Sequence, residues 1–107
     1  MGHDLIANGW HRRTLSDQMA NIGSEFVRAL RAKQQNKPAR FMPAFCRWLT
    51  LINGSIQDPR WGLARKREIA RLKEDIINHL YTDTPNIPAI SGLERYFYYF
   101  GVSRQRD

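Results

Sequence analysis

The chain has 107 residues, one cysteine and a formal net charge of +7, from 17 Lys+Arg against 10 Asp+Glu. One domain of ~100–150 residues accommodates that length, which excludes a two-domain dinucleotide enzyme or a ~250-residue barrel. A single Cys46 excludes an internal disulfide framework and a multi-cysteine zinc site, and 42% hydrophobic residues exclude a disordered tail.

Residues 1–9 carry no sustained period and end in Asn8-Gly9, which predicts a flexible lead followed by Trp10 packed just outside the first helix. Thr14-Leu15-Ser16-Asp17 has the form of a capping box, a Thr cap with an acid three residues on. A helix is expected from about Leu15 to Gln35. Its core stripe is Met19, Ile22, Phe26 and Leu30, stepping 3, 4 and 4. Gly23 lies beside that stripe, where glycine costs ~1 kcal/mol against alanine, so a neighbouring backbone is expected to come close. Asn21, Glu25 and Arg28 fall on the opposite, outward face.

Pro38 and Pro43 offer two starts for the second helix, since proline is tolerated only in a first turn. Phe41, Phe45, Trp48, Leu49, Ile52 and Ile56 form its stripe. This bulk makes it the candidate for the most buried helix, with Cys46 at the edge of the core. Asp58-Pro59 breaks the chain, and Trp61-Gly62 follows in a turn. The third helix is expected from Leu63 to Tyr81, on the stripe Ile69, Leu72, Ile76 and Leu80. Its basic residues are expected to be partly neutralised by Glu68–Arg71 and Arg71–Asp75 pairs.

A loop is expected over 82–88. Ser91-Gly92-Leu93-Glu94 then reads as a second capping box opening a short helix that Gly101 stops. The aromatic run 96–100 is too dense to bury against one neighbour, which leaves Tyr98 and Tyr99 as candidates for a protein interface. No segment alternates as a strand. The expected fold is all-α, a single-domain four-helix bundle with three long helices and one short C-terminal helix. Residues 10–101 make up the bundle, with flexible ends at 1–9 and 102–107.

At this level of detail the chain resembles a family of small, all-helical bacterial proteins. The resemblance rests on Trp10-x-Arg12-x-Thr14-Leu15-Ser16-x-Gln18-Met19-Ala20-Asn21-Ile22-Gly23-Ser24-Glu25. It continues through Ala44-Phe45-x-Arg47-x-Leu49-x-Leu51, Ile56-x-Asp58-Pro59-Arg60, Arg71-Leu72-Lys73-Glu74, Tyr81-x-Asp83 and Leu93-x-x-Tyr96-Phe97-x-x-Phe100. It covers most of residues 10–100 and implies a helical fold and a bacterial origin, but no reaction. The chain departs from the family around residues 35–42, where prolines stand in place of a charged connection.

The charge falls into two stretches. Residues 12–47 hold eight Lys and Arg, and residues 60–73 hold six. Arg12, Arg13, Arg60, Arg65, Lys66, Arg67 and Arg71 are the candidates for binding an anionic partner, near Trp10 and Trp61, which would suit stacking on bases. His3, His11 and His79 are scattered, with no metal-ligand spacing, and Arg71 and His79 are too far apart for the arginine–histidine motif of helical toxin ribonucleases. No catalytic residue, metal or cofactor is expected.

The first expectation is therefore a non-catalytic protein-interaction or assembly module that binds a protein partner or itself, a homodimer included. A nucleic-acid-binding accessory protein is the alternative, and a small enzyme is third. No apolar run is long enough to cross a membrane. A cytoplasmic protein is expected, with no membrane partner and no small-molecule ligand.

Overall fold

The computed structural model describes residues 9–106, and among these there are four α-helices and no strand. A 3-10 turn, Trp10–Arg12, leads into α1 (Leu15–Gln34), followed by α2 (Pro38–Ile56), α3 (Leu63–Leu80) and α4 (Ile87–Arg106). The expected lead at 1–8 lies outside the described residues.

The Thr14 cap forms as its sequence implies, with the Asp17 amide donating to Thr14 Oγ1 at 3.1 Å. The other end of α1 closes on Asn36, in the left-handed region at φ 55°. The Lys37 amide donates to the Ala32 carbonyl and the Asn36 amide to that of Lys33, which satisfies two last-turn acceptors. Pro38 follows at once as the first residue of α2, where its missing N–H is no loss. That settles the choice between the prolines. Pro43 lies inside α2 on an exposed side, where it cannot donate the helical hydrogen bond to the Ala39 carbonyl.

The core is centred on α1. Met19, Ile22, Phe26 and Leu30 are buried as the period requires, but Ala20, Gly23, Ala29 and Ala32 are buried too. Large side chains fill one face of α1, while the small ones let neighbours approach on another. The bulky stripe of α2 does not make it the most buried helix. Trp48, Ile52 and Ala44 are inside, whereas Met42, Pro43, Cys46 and Arg47 face solvent. Cys46 is therefore exposed rather than at the edge of the core.

The last helix corrects the sequence reading most. It starts at Ile87, not near Ser91, because Asn86 is the cap: its Oδ1 accepts from the Ala89 amide at 3.0 Å. Pro88 sits in the first turn, where it costs nothing. Gly101 does not stop the helix, since its φ is not positive and the chain runs on to Arg106. The expected short helix is thus 20 residues long, and residues 102–106 continue it. α4 crosses α1 at Gly23, where Phe97 packs its Cβ and ring, with the Phe26 ring at 5.9 Å. A side chain, not the expected backbone, fills the space over this glycine.

Two buried tryptophans provide a comparison. Trp10 Nε1 donates to Ser55 Oγ at 3.2 Å, whereas Trp48 Nε1 is buried with no hydrogen-bond partner. Both lose packing when changed to phenylalanine, but only Trp10→Phe also loses a made hydrogen bond worth ~1 kcal/mol. Trp10→Phe is expected to lower stability in urea by about 1 kcal/mol more than Trp48→Phe. Equal losses would show that the Trp10 bond contributes nothing.

Candidate functional site

The chemistry-bearing residues of the chain meet in two kinds of place: one buried polar cluster and two surface grooves. Gln18, Ser55 and Asp58 form the cluster, each completely buried. The Gln18 amide spans it. Its Oε1 accepts from Ser55 Oγ at 2.8 Å and from Trp61 Nε1 at 3.1 Å. Its Nε2 donates to the Trp10 carbonyl at 2.8 Å and to Asp58 Oδ2 at 2.9 Å. An indole can only donate, and a carboxylate or carbonyl can only accept, so the neighbours fix the orientation of the amide.

Asp58 is gripped from the other side by Arg60. Its Oδ1 accepts from the Arg60 amide and Nε, both at 3.0 Å, and its Oδ2 from Arg60 Nη2 at 2.7 Å. Burial works to raise the Asp58 carboxyl, but the hydrogen bonds from Arg60 and Gln18 outweigh it and hold the group well below the usual carboxylate range. The bond to Asp58 in turn raises Arg60. The Arg60 guanidinium also lies over the Trp61 ring at 4.5 Å and reaches the Arg13 carbonyl at 2.6 Å. Nearby, His11 Nε2 meets the Gly54 carbonyl at 2.9 Å.

Each polar atom that these residues turn inward is used by another. Ser55 has no base on its hydroxyl, since Oγ donates to Gln18 and accepts from Trp10. The cluster is therefore a clasp. It ties the Trp10 turn, the start of α1, the end of α2 and the α2–α3 loop into one unit.

The candidate anion-binding residues are distributed accordingly. Arg60 is committed to the clasp. Arg13 Nη1 meets Asp17 Oδ2 at 2.6 Å, and Arg65 Nη1 meets Glu68 Oε1 at 3.0 Å. Glu68 is held by Arg65 and by the Tyr96 hydroxyl at 2.8 Å, rather than by the expected Arg71. Burial, reinforced by Glu68, pushes the Tyr96 phenol above its ordinary range. Arg12, Arg67 and Arg71 are exposed and Lys66 is half-buried. None of these seven lines either of the two grooves below. Of the three histidines, His3 lies outside the described residues and His79 is half-buried at the end of α3. Lys33 Nζ caps that end, donating to the carbonyls of His79 and Thr82. No group of metal-ligating side chains gathers among the described residues.

The first groove, about 620 Å³, runs between α1 and α4. Ala20, Gly23 and Phe97 lie along it, Arg28 and Arg31 line it from α1, and Glu94 and Tyr98 from α4. Tyr98 and its neighbour Tyr99 are 74% and 69% exposed. The second, about 480 Å³, runs between α1 and α2. It collects Arg28, Arg31, Arg40 and Arg47 over a base of Ala32, Ala39, Pro43 and Ala44. This arginine set was missed as a site in the sequence. It becomes one only when the turn at Asn36 folds α2 back beside α1, so that residues from both sides of the turn converge.

No protein-family model, no curated protein and no solved structure matches the chain. Among the described residues, no helix is long and apolar enough to cross a membrane.

Proposed function

We propose that this chain is a non-catalytic protein-interaction module whose α1–α4 face docks a second copy of itself. The observation that carries the reading is a pair of exposed tyrosines, Tyr98, which lines the α1–α4 groove, and its neighbour Tyr99. Large, rigid, amphipathic tyrosines are typical anchors of protein interfaces. The groove carries both signs of charge, with Arg28 and Arg31 on α1 and Glu94 on α4. A patch with both signs is self-complementary under a twofold axis, because the basic side of one copy meets the acidic side of the other. The resemblance of residues 10–100 to small helical bacterial proteins belongs to the same proposal.

Light scattering on a sizing column tests it. At tens of micromolar the chain is expected to elute at twice its 12.5 kDa mass. Tyr98→Ser with Tyr99→Ser is expected to return it to a monomer with an unchanged thermal melt. A wild-type monomer, or a dimer that the double variant leaves intact, would overturn the proposal.

A further inference from the structure

The α1–α2 groove shares Arg28 and Arg31 with the α1–α4 groove but has a different electrostatic character. Four guanidinium groups line it and no carboxylate does. Glu25, on the α1 side, meets Arg28 Nη1 at 3.3 Å and Arg47 Nε at 3.2 Å, so one acid is shared by two bases. Arg31 and Arg40 make no ion pair among the described residues. The start of α2 adds positive charge, with Lys37 at its cap and no acid in its first turn. Glu25 offsets part of the charge of Arg28 and Arg47, which leaves Arg31 and Arg40 as uncompensated cations of the groove.

We propose that this groove binds the phosphate backbone of a nucleic acid. Three features favour phosphate over an acidic protein segment. The cations are all arginine, whose planar fork of donors matches the paired free oxygens of a phosphodiester. They are spread along the groove: Arg40 and Arg47 are seven residues, or ~10 Å, apart on α2, which suits a repeating charge. The base consists of alanine and proline, which offers no deep pocket for the large anchor side chain that a protein hot spot needs. The net charge of +7 has the right sign to draw a polyanion in from a distance. Arg40 and Arg47 line this groove and not the α1–α4 groove, so the inference is tested independently of self-association.

The test is fluorescence anisotropy with a labelled 12-nucleotide single-stranded DNA of mixed sequence, titrated with the full chain between 50 and 200 mM salt. Four phosphate contacts at ~0.7 each predict a log–log salt slope of about −3. Arg40→Gln with Arg47→Gln is expected to weaken binding about tenfold and to halve that slope. Both residues are exposed, and circular dichroism and the oligomeric mass check that the fold and the α1–α4 face are intact. Arg67→Gln with Arg71→Gln, on α3, is expected to leave affinity within about twofold. Three results would overturn the inference: no binding at 50 mM salt, an equal loss from the α3 pair, or displacement by polyglutamate as effective as by unlabelled DNA at the same charge concentration. The last would assign the groove to an acidic protein.

Discussion

Gln18→Ala is expected to cost about 3 kcal/mol of unfolding free energy, measured by urea denaturation. The side chain occupies no groove and touches no solvent, yet its amide makes four hydrogen bonds. Removing it leaves the Ser55 hydroxyl, the Trp10 carbonyl and one contact to Asp58 without their partner, and each unmade buried bond costs ~1–3 kcal/mol. Ser55 can turn its proton and half-buried Trp61 can reach water, which keeps the total near the lower end of the sum. Gln18→Met fills the same volume and should do little better than alanine, because shape is not what is lost. A cost under about 1 kcal/mol for either variant would mean that the clasp does not hold the four segments together.

The clasp also sets how the protein responds to acid. The folded-state pKa of Asp58 lies below its unfolded value of ~3.9. Between those values the unfolded chain binds the extra proton, so stability rises with pH across that interval. The Asp58 contribution is complete above about pH 5 and is lost progressively as the pH falls below ~4. Thermal melts from pH 7 to pH 2 should therefore be flatter at the acid end in Asp58→Asn than in the wild type. Parallel curves would contradict the assignment.

Gly23→Ala is the second large effect, and its sign opposes helix propensity. Alanine is a better helix former by ~1 kcal/mol. A Cβ at position 23, however, would lie 2.6 Å from Phe97 Cβ and Cγ and 2.8 Å from Cδ1. A ring can rotate away but a Cβ cannot, so α4 has to move off α1. Overpacking of that kind costs ~1–3 kcal/mol, and a net loss of about 2 kcal/mol is expected. Phe97→Ala removes the clashes at Cγ and Cδ1 but keeps the one at Cβ, so it should cost less in the Gly23→Ala background than alone, by about 0.5–1 kcal/mol. A Gly23→Ala protein as stable as the wild type would show that the α1–α4 crossing is looser than described. Such a protein should also keep its surface groove, which lies along the same crossing.

The periodic parts of this fold are legible in the sequence. The α1 and α3 stripes, the Thr14 cap and the exposure of Tyr98 and Tyr99 follow from spacing alone, because each depends on residues within a few turns of one another. The errors share a physical cause. Ser91 has the form of a cap, but Asn86, read as part of a loop, is the residue that caps α4, and the burial of Ile90 inside the helix is a tertiary contact that a local pattern does not contain. Gly101 stops a helix only if tertiary packing turns the chain there. Cys46 and Arg47 lie beside a bulky stripe but on the side that no helix covers.

The candidate sites divide in the same way. Gln18 sits within the α1 pattern and shows no sign of function until Ser55, Asp58 and Trp61 come to it from 37, 40 and 43 residues away. Counting charge along the chain singled out residues that fold onto their own acids, such as Arg13, Arg60 and Arg65. The arginines that converge do so across a turn. Charge patterns along a sequence locate basic helices, while grooves depend on which helices become neighbours.

The central functional claim, that a second copy docks on the α1–α4 face, is tested most directly by a photo-crosslinking amino acid placed at Tyr98. Irradiation at tens of micromolar should give a covalent dimer whose crosslinked peptides come from α1 and α4, around Val27 to Arg31 and Glu94. Crosslinks to α3, or no covalent dimer under conditions where the label is active, would contradict the account.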